Sequence, residues 1–168
     1  MKKNILTILF AALLLLTSCS NDPDPSQAVE TIPLSSEEIE LLDAIGDDLV
    51  VISETDYANM VTEIIYHSDT YVGQVIQIEG IYSSSMNDDS IPYIYRTLTN
   101  NGSETICGLP LVYLEKEFPE EAWIRVSGIV NNGEINGASA TVLEVVAIES
   151  LSEDGQKILE WTGSTHNH

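Results

Sequence analysis

Gln74-Val75-Ile76-Gln77-Ile78-Glu79-Gly80-Ile81-Tyr82 decides the fold. Ile76, Ile78 and Tyr82 fall on one face and Gln77 and Glu79 on the other, the period-two pattern of a strand with one wet side. Gly80 sits where a strongly bent barrel strand or a bulge has no room for a side chain. The same β-branched and aromatic texture recurs downstream, and strands are predicted at 93–98, 105–114, 122–130 and 141–150. Asn100-Asn101-Gly102, Asn132-Gly133 and Asn136-Gly137 read as reversals, and Phe118-Pro119-Glu120-Glu121 as a connection of one turn. Pro110 has no N–H for a ladder, so it demands an edge position or a break. Five short strands are too few for a two-sheet sandwich and predict a mainly β domain over 56–151, closed as a five-stranded OB-fold-like barrel.

Two helices are expected in front of it. Ser35-x-x-Glu38 has the form of a capping box, followed by Ile39, Leu42, Ile45 and Leu49 at helical spacing, so 35–55 reads as a helix and its connection. Asp56 is placed to cap a second helix whose apolar stripe is Tyr57, Met60, Val61, Ile64 and Ile65, ending at His67. The tail 152–168 is expected to add a brief helix through Ile158, Leu159 and Trp161.

The N-terminus reads differently. Lys2 and Lys3 precede an apolar run from Ile5 to Leu16, too short to span a bilayer comfortably, which closes in Leu16-Thr17-Ser18-Cys19. This resembles the lipobox of bacterial lipoproteins. The resemblance implies a signal peptide at 1–18, lipid on Cys19 as the membrane contact, and an extracytoplasmic, envelope-anchored product. Ser20 is not the aspartate that often retains lipoproteins at an inner membrane, so the outer membrane is expected if the envelope is Gram-negative. Residues 19–34, rich in Asn, Asp, Pro and Ser, read as a disordered tether.

All 27 Asp and Glu of the 168-residue chain follow Cys19, against Arg96, Lys116, Arg125 and Lys157, so loss of the leader makes the product more acidic than the formal −21. Such a field repels phosphate backbones and disfavours nucleic-acid binding. If Cys19 carries lipid through its sulfur, Cys107 has no partner in its own chain; within Ile106-Cys107-Gly108-Leu109 it reads as a small buried hydrophobe.

The segment 56–151 is similar to the OB-like C-terminal domain of a bacterial membrane-protein family associated with predicted permeases. The residues that carry the similarity are the helix ending at His67, Tyr71-Val72-Gly73-Gln74 leading into the opening strand, Tyr93-Ile94-Tyr95-Arg96, Cys107, and Phe118-Pro119-Glu120-Glu121-Ala122-Trp123-Ile124-Arg125-Val126-Ser127-Gly128. It also resembles envelope lipoproteins whose OB-like domain is named after tRNA-anticodon-binding modules, a name that describes shape. The resemblance implies a fold and no reaction.

A catalytic constellation is not expected, because the domain offers one histidine, His67, at a helix end where an imidazolium suits the helix dipole. The acidic pairs Asp47-Asp48, Asp88-Asp89, Glu120-Glu121 and Glu153-Asp154 are adjacent loop residues, not carboxyls on opposing walls of a cleft. No cofactor or metal is expected: Asn87 to Ser90 offer oxygen ligands without EF-hand spacing, and His166 and His168 lie at a fraying end. OB barrels bind across their second and third strands. The candidate ligand face is therefore Tyr93, Tyr95 and Arg96 with Tyr113, extended by Trp123 and Arg125 on the fourth strand. The expected role is non-enzymatic: a binding or assembly module for another envelope protein or a small ligand. The alternative is an oligosaccharide-binding or cation-dependent accessory to an envelope enzyme.

Overall fold

The computed structural model describes residues 31–86 and 91–161. The leader, Cys19, the loop Asn87 to Ser90, and His166 with His168 lie outside the described residues. In chain order the elements are α1 (Ser36–Ile45), β1 (Leu49–Val51), α2 (Tyr57–Tyr66), α3 (Ser68–Tyr71), β2 (Val75–Ser83), β3 (Tyr93–Asn100), β4 (Ser103–Val112), β5 (Trp123–Ile135), β6 (Ala138–Ser150) and β7 (Ile158–Glu160).

Five of these strands close a barrel in the order β2-β5-β6-β4-β3 and back to β2, every contact antiparallel except β4 with β6. This is the expected OB-like architecture, mainly β with helices in front. The inward positions fill it: Ile76 and Ile78 from β2, Ile94 from β3, Leu109 and Leu111 from β4, Ile124 and Val126 from β5, and Leu143 and Ile148 from β6. Gly80 pairs with Ile124 on one side while β3 crosses on the other, where an added Cβ would lie 2.8 Å from the Tyr95 carbonyl oxygen. A tight crossing of β2 and β3 thus needs the missing side chain. α2 plugs one end through Tyr57, Ala58, Val61 and Ile64, and the Tyr57 hydroxyl donates to the Cys107 carbonyl at 3.2 Å.

Several sequence expectations are corrected. Asp56 does not cap α2; its carboxylate accepts instead from the Ser53 hydroxyl at 2.6 Å. Asn132-Gly133 does not turn, because β5 runs on through it in register with Thr141 and Ala140, and only Asn136-Gly137 reverses the chain. Long-range pairing overrides a local turn signal there. The tail makes a strand where a helix was expected: β7 pairs with β3, since Ile158, Leu159 and Glu160 meet an open edge at 97–99. The first helix ends at Ile45, so Leu49, read as part of its apolar stripe, instead opens β1, which pairs with β2. The tether joins the domain before residue 34, since the Ser150 N–H donates to the Ile32 carbonyl and the Ile32 N–H to the Ser150 hydroxyl. The capping box at Ser35 and Glu38 forms as read, with Glu38 N–H to Ser35 Oγ at 3.2 Å and Ser35 N–H to Glu38 Oε2 at 2.6 Å.

Candidate functional site

The barrel opens at two seams, and these decide where the candidate residues go. At the first, β2 and β3 pair only over 81–83 and 93–95 and then diverge. β1 takes the freed edge of β2 and β7 that of β3. Arg96 fills the gap between them. Alternation along β3 sends Ile94, Arg96 and Leu98 inward, and Arg96 is 2% exposed. Its Nε donates to the Glu79 carbonyl at 2.9 Å, standing in for a ladder rung the diverging strands cannot form. Its Nη1 donates to Glu54 Oε1 at 3.1 Å and the Gln156 carbonyl at 3.2 Å. The guanidinium lies 4.6 Å from the Tyr57 ring centre and 4.8 Å from that of Trp123, which is also buried. A planar cation between two aromatic faces is held by their quadrupoles as well as by its hydrogen bonds. Glu54 is kept below the usual carboxylate range by the Gln156 N–H first and Arg96 second.

Arg96 and Trp123 are therefore structural, and neither belongs to the ligand face expected of them. Arg125, expected to extend that face together with Trp123, pairs instead with Glu79 at 2.8 Å and Glu149 at 2.7 Å on the barrel exterior. Tyr113 leaves β4 with φ +59° and 76% exposure, off the strand that was expected to carry it. Of the six candidates, Tyr93 and Tyr95 alone share the outward face of β3.

At the second seam, β4 and β6 run parallel in register only at Leu111 with Leu143 and Val112 with Glu144. The register explains why it opens. Leu111 N–H donates to the Pro92 carbonyl and Thr97 N–H turns away from β4 to the Lys157 carbonyl, so odd residues of β4 bond to β3 and even ones face β6. The next rung toward the start of β4 would require an N–H from Pro110, which proline lacks. Of the two readings of Pro110, β4 is not broken there, since it runs from Ser103 to Val112; Pro110 instead ends the ladder and leaves an open edge. Beyond it lies an open cleft of about 430 Å³ lined by Tyr93, Gly108 and Pro110 on one wall and Ser139, Ala140 and Thr141 on the other. Ile65, Ser68, Asn132 and Ile135 complete it.

A Cβ on Gly108 would lie 2.2 Å from the Ile94 carbonyl oxygen and 2.6 Å from Tyr95 Cβ, so the Tyr95 side chain takes the space beside it. Burial raises the Tyr95 phenol above its ordinary range, with Glu121 and Glu120 adding to the effect. Burial also raises the Cys107 thiol; at 6% exposure beside Thr62 it is the small buried hydrophobe expected. His67 ends α2 as read, 3.8 Å from Glu63. Among the described residues no group of three His, Cys, Asp or Glu could hold a metal ion.

On the other side of the two rungs, the same edge of β6 is sealed. Glu38 Oε1 accepts from the Ile148 N–H at 3.0 Å, and its other oxygen pairs with the Lys116 ammonium, which also donates to the Ile148 carbonyl at 3.0 Å. Burial alone would raise the Glu38 carboxyl, but Lys116 and the Ser35 and Ile148 N–H groups outweigh it and bring it down to about 2. Sequence reasoning missed Glu38 as an anchor; the capping box gave it one partner, and the other two come from distant strands and loops. All four Lys and Arg among the described residues, Arg96, Lys116, Arg125 and Lys157, are ion-paired with carboxylates.

Fold and cleft together define an OB-like barrel with one sealed and one open seam. Comparison of the chain with known protein families, curated proteins and solved structures finds no match.

Proposed function

We propose that the chain is a binding or assembly module of the cell envelope, held by lipid on Cys19 and working without catalysis. The carrying observation is the cleft at the β4–β6 seam, which takes in Tyr93 from the outward face of β3 and is lined by neutral side chains. A recess of this size with hydroxyl, amide and aromatic groups suits recognition of a ligand or a protein segment. The leader and the similarity to lipoprotein OB-like domains support the envelope address, at the outer membrane where there is one. A phosphate backbone is disfavoured as partner, since every described cation is already neutralised by a carboxylate.

Two measurements test the reading. Palmitate labelling of the full chain is expected to disappear with Cys19→Ala, and incorporation unaffected by that change refutes the anchor. Crosslinking in intact envelopes is expected to give a discrete adduct through the cleft face, and the absence of any adduct, with no ligand found by thermal shift, refutes the binding role. A second reading, oligosaccharide binding, is favoured by the hydroxyl-bearing lining of Tyr93, Ser68, Ser139 and Thr141. It predicts glycan-array binding that Tyr93→Ala abolishes.

A further inference from the structure

The parity that makes Pro110 end the ladder also fixes what the open seam offers. Even residues of β4 turn their backbone toward β6, so the N–H and C=O of Gly108 face the cleft. On β6, Val130 exchanges backbone bonds with Gly73 and Gln74 of the neighbouring segment, so its partner Leu143 is turned away from β5, and Thr141 and Ser139 share that orientation. Two parallel strand edges therefore splay apart from the rungs at Leu111 and Leu143, and among the described residues no strand pairs with either edge there. Donors and acceptors alternate along β6 at strand spacing, and Gly108 brings no side chain to the opposing wall. A sugar has no matching repeat of donors and acceptors; an extended polypeptide does.

The electrostatics select among polypeptides. The lining contains no charged side chain. Exposed carboxylates stand beside it: Asp69 follows Ser68 and receives the Asn132 amide at 3.5 Å, and Glu134 pairs with Ser139 in the hairpin ladder. No described cation is left to balance them. We infer that the β4–β6 wedge receives an extended segment of a partner protein, basic at its flanks, whose main chain pairs with β6 at Ser139 and Thr141. The inference rests on the binding-module reading and names its partner by chemistry. Pro110 then keeps the slot open, and the sealing of the rest of the β6 edge by Glu38, Lys116 and Ile32 limits pairing to this stretch.

The test uses the full chain and an immobilised array of nine-residue Val/Thr-rich peptides carrying Lys or Arg at varied positions, with Glu-substituted counterparts. Basic peptides are expected to bind at least about tenfold more tightly than the acidic ones at low salt, a difference that shrinks as salt screens it. The same peptides are expected to slow hydrogen exchange at the Thr141 and Gly108 amides. Ile65→Trp, which fills the cleft from the α2 side, and Ser139→Pro, which removes an N–H that β5 does not use, are each expected to weaken binding about tenfold while leaving the unfolding midpoint near that of the parent. Equal binding of basic and acidic peptides, protection elsewhere with none at Thr141, or binding indifferent to both substitutions overturns the inference. Photocrosslinkers separate it from the broader reading. Envelope adducts through position 95 with none through position 139 overturn the wedge and leave a binding module, whereas adducts through neither position overturn the wedge and, where thermal shift also finds no ligand, the binding module with it.

Discussion

The two seams of this barrel, antiparallel between β2 and β3 and parallel between β4 and β6, both pair over only a few residues, and they end differently. Where β2 and β3 part, the gap is filled by a buried guanidinium, two added strands and two aromatic rings. Where β4 and β6 part, it is left as a neutral cleft with backbone groups turned into it. The difference teaches that an OB-like barrel is not obliged to leave a given opening for a ligand. What closes an opening is a side chain able to replace missing rungs, and what preserves one is a residue unable to make them. Arg96 is the first kind and Pro110 the second.

The comparison breaks most severely at Arg96. Arg96→Met is expected to cost about 3–5 kcal/mol, because it strands the Glu79 and Gln156 carbonyls and the stacked rings around a former cation. Urea unfolding followed by the emission of Trp123 and Trp161 measures it, and a loss below about 1 kcal/mol would show the first seam to be closed by β1 and β7 alone. Gly108→Ala tests the rigidity of the open side. With the Ile94 carbonyl in the way, the expected cost is about 2–3 kcal/mol, accompanied by displacement of the Tyr95 ring visible in its NMR shifts.

The sealed end of β6 adds a pH dependence. Glu38 has a folded pKa of about 2, below the unfolded carboxyl value of about 4.3, so its contribution is fully present above that range and is lost as pH falls toward 2. After allowance for solvent screening, about 1–2 kcal/mol is expected to disappear across that window. Glu38→Gln is expected to remove this portion of the acid slope, and an unchanged slope would mean that Lys116 and Ile148 find other partners. The smallest effect belongs to Pro110→Ala. A new N–H for the Thr141 carbonyl offsets the entropy that proline withheld from the unfolded chain, leaving a net change within about 1 kcal/mol. The sharper readout is hydrogen exchange: residue 110 is expected to gain a protected amide as the seam closes by one rung.

Much of the barrel was legible because its signals are local. Period-two alternation in Val75–Ser83 and the Asn-Gly pairs at Asn101 and Asn136 specify strands and tight hairpins within a few residues of themselves. The site was legible only in part. Tyr93, Tyr95 and Arg96 were taken together as one face, although alternation along β3 turns the two tyrosines outward and Arg96 inward. A charged residue at an inward position is improbable on composition, and its accommodation depends on Glu54 and Gln156, 42 and 60 residues away. Asn132-Gly133 misled for the converse reason, a strong local turn preference overruled by strand pairing on both sides.

The chain's own order of residues determined the five barrel strands, the reversals at Asn101 and Asn136, the capped first helix, the acidity and the halt at Pro110, since each follows from the period of a few side chains or from the chemistry of one. Tertiary structure decided which opening is shut. That choice was made by Arg96, Glu38, β1 and β7 meeting edges that lie far from them in sequence, because an unpaired backbone group is satisfied by whatever donor or acceptor the fold brings near, not by its neighbours along the chain.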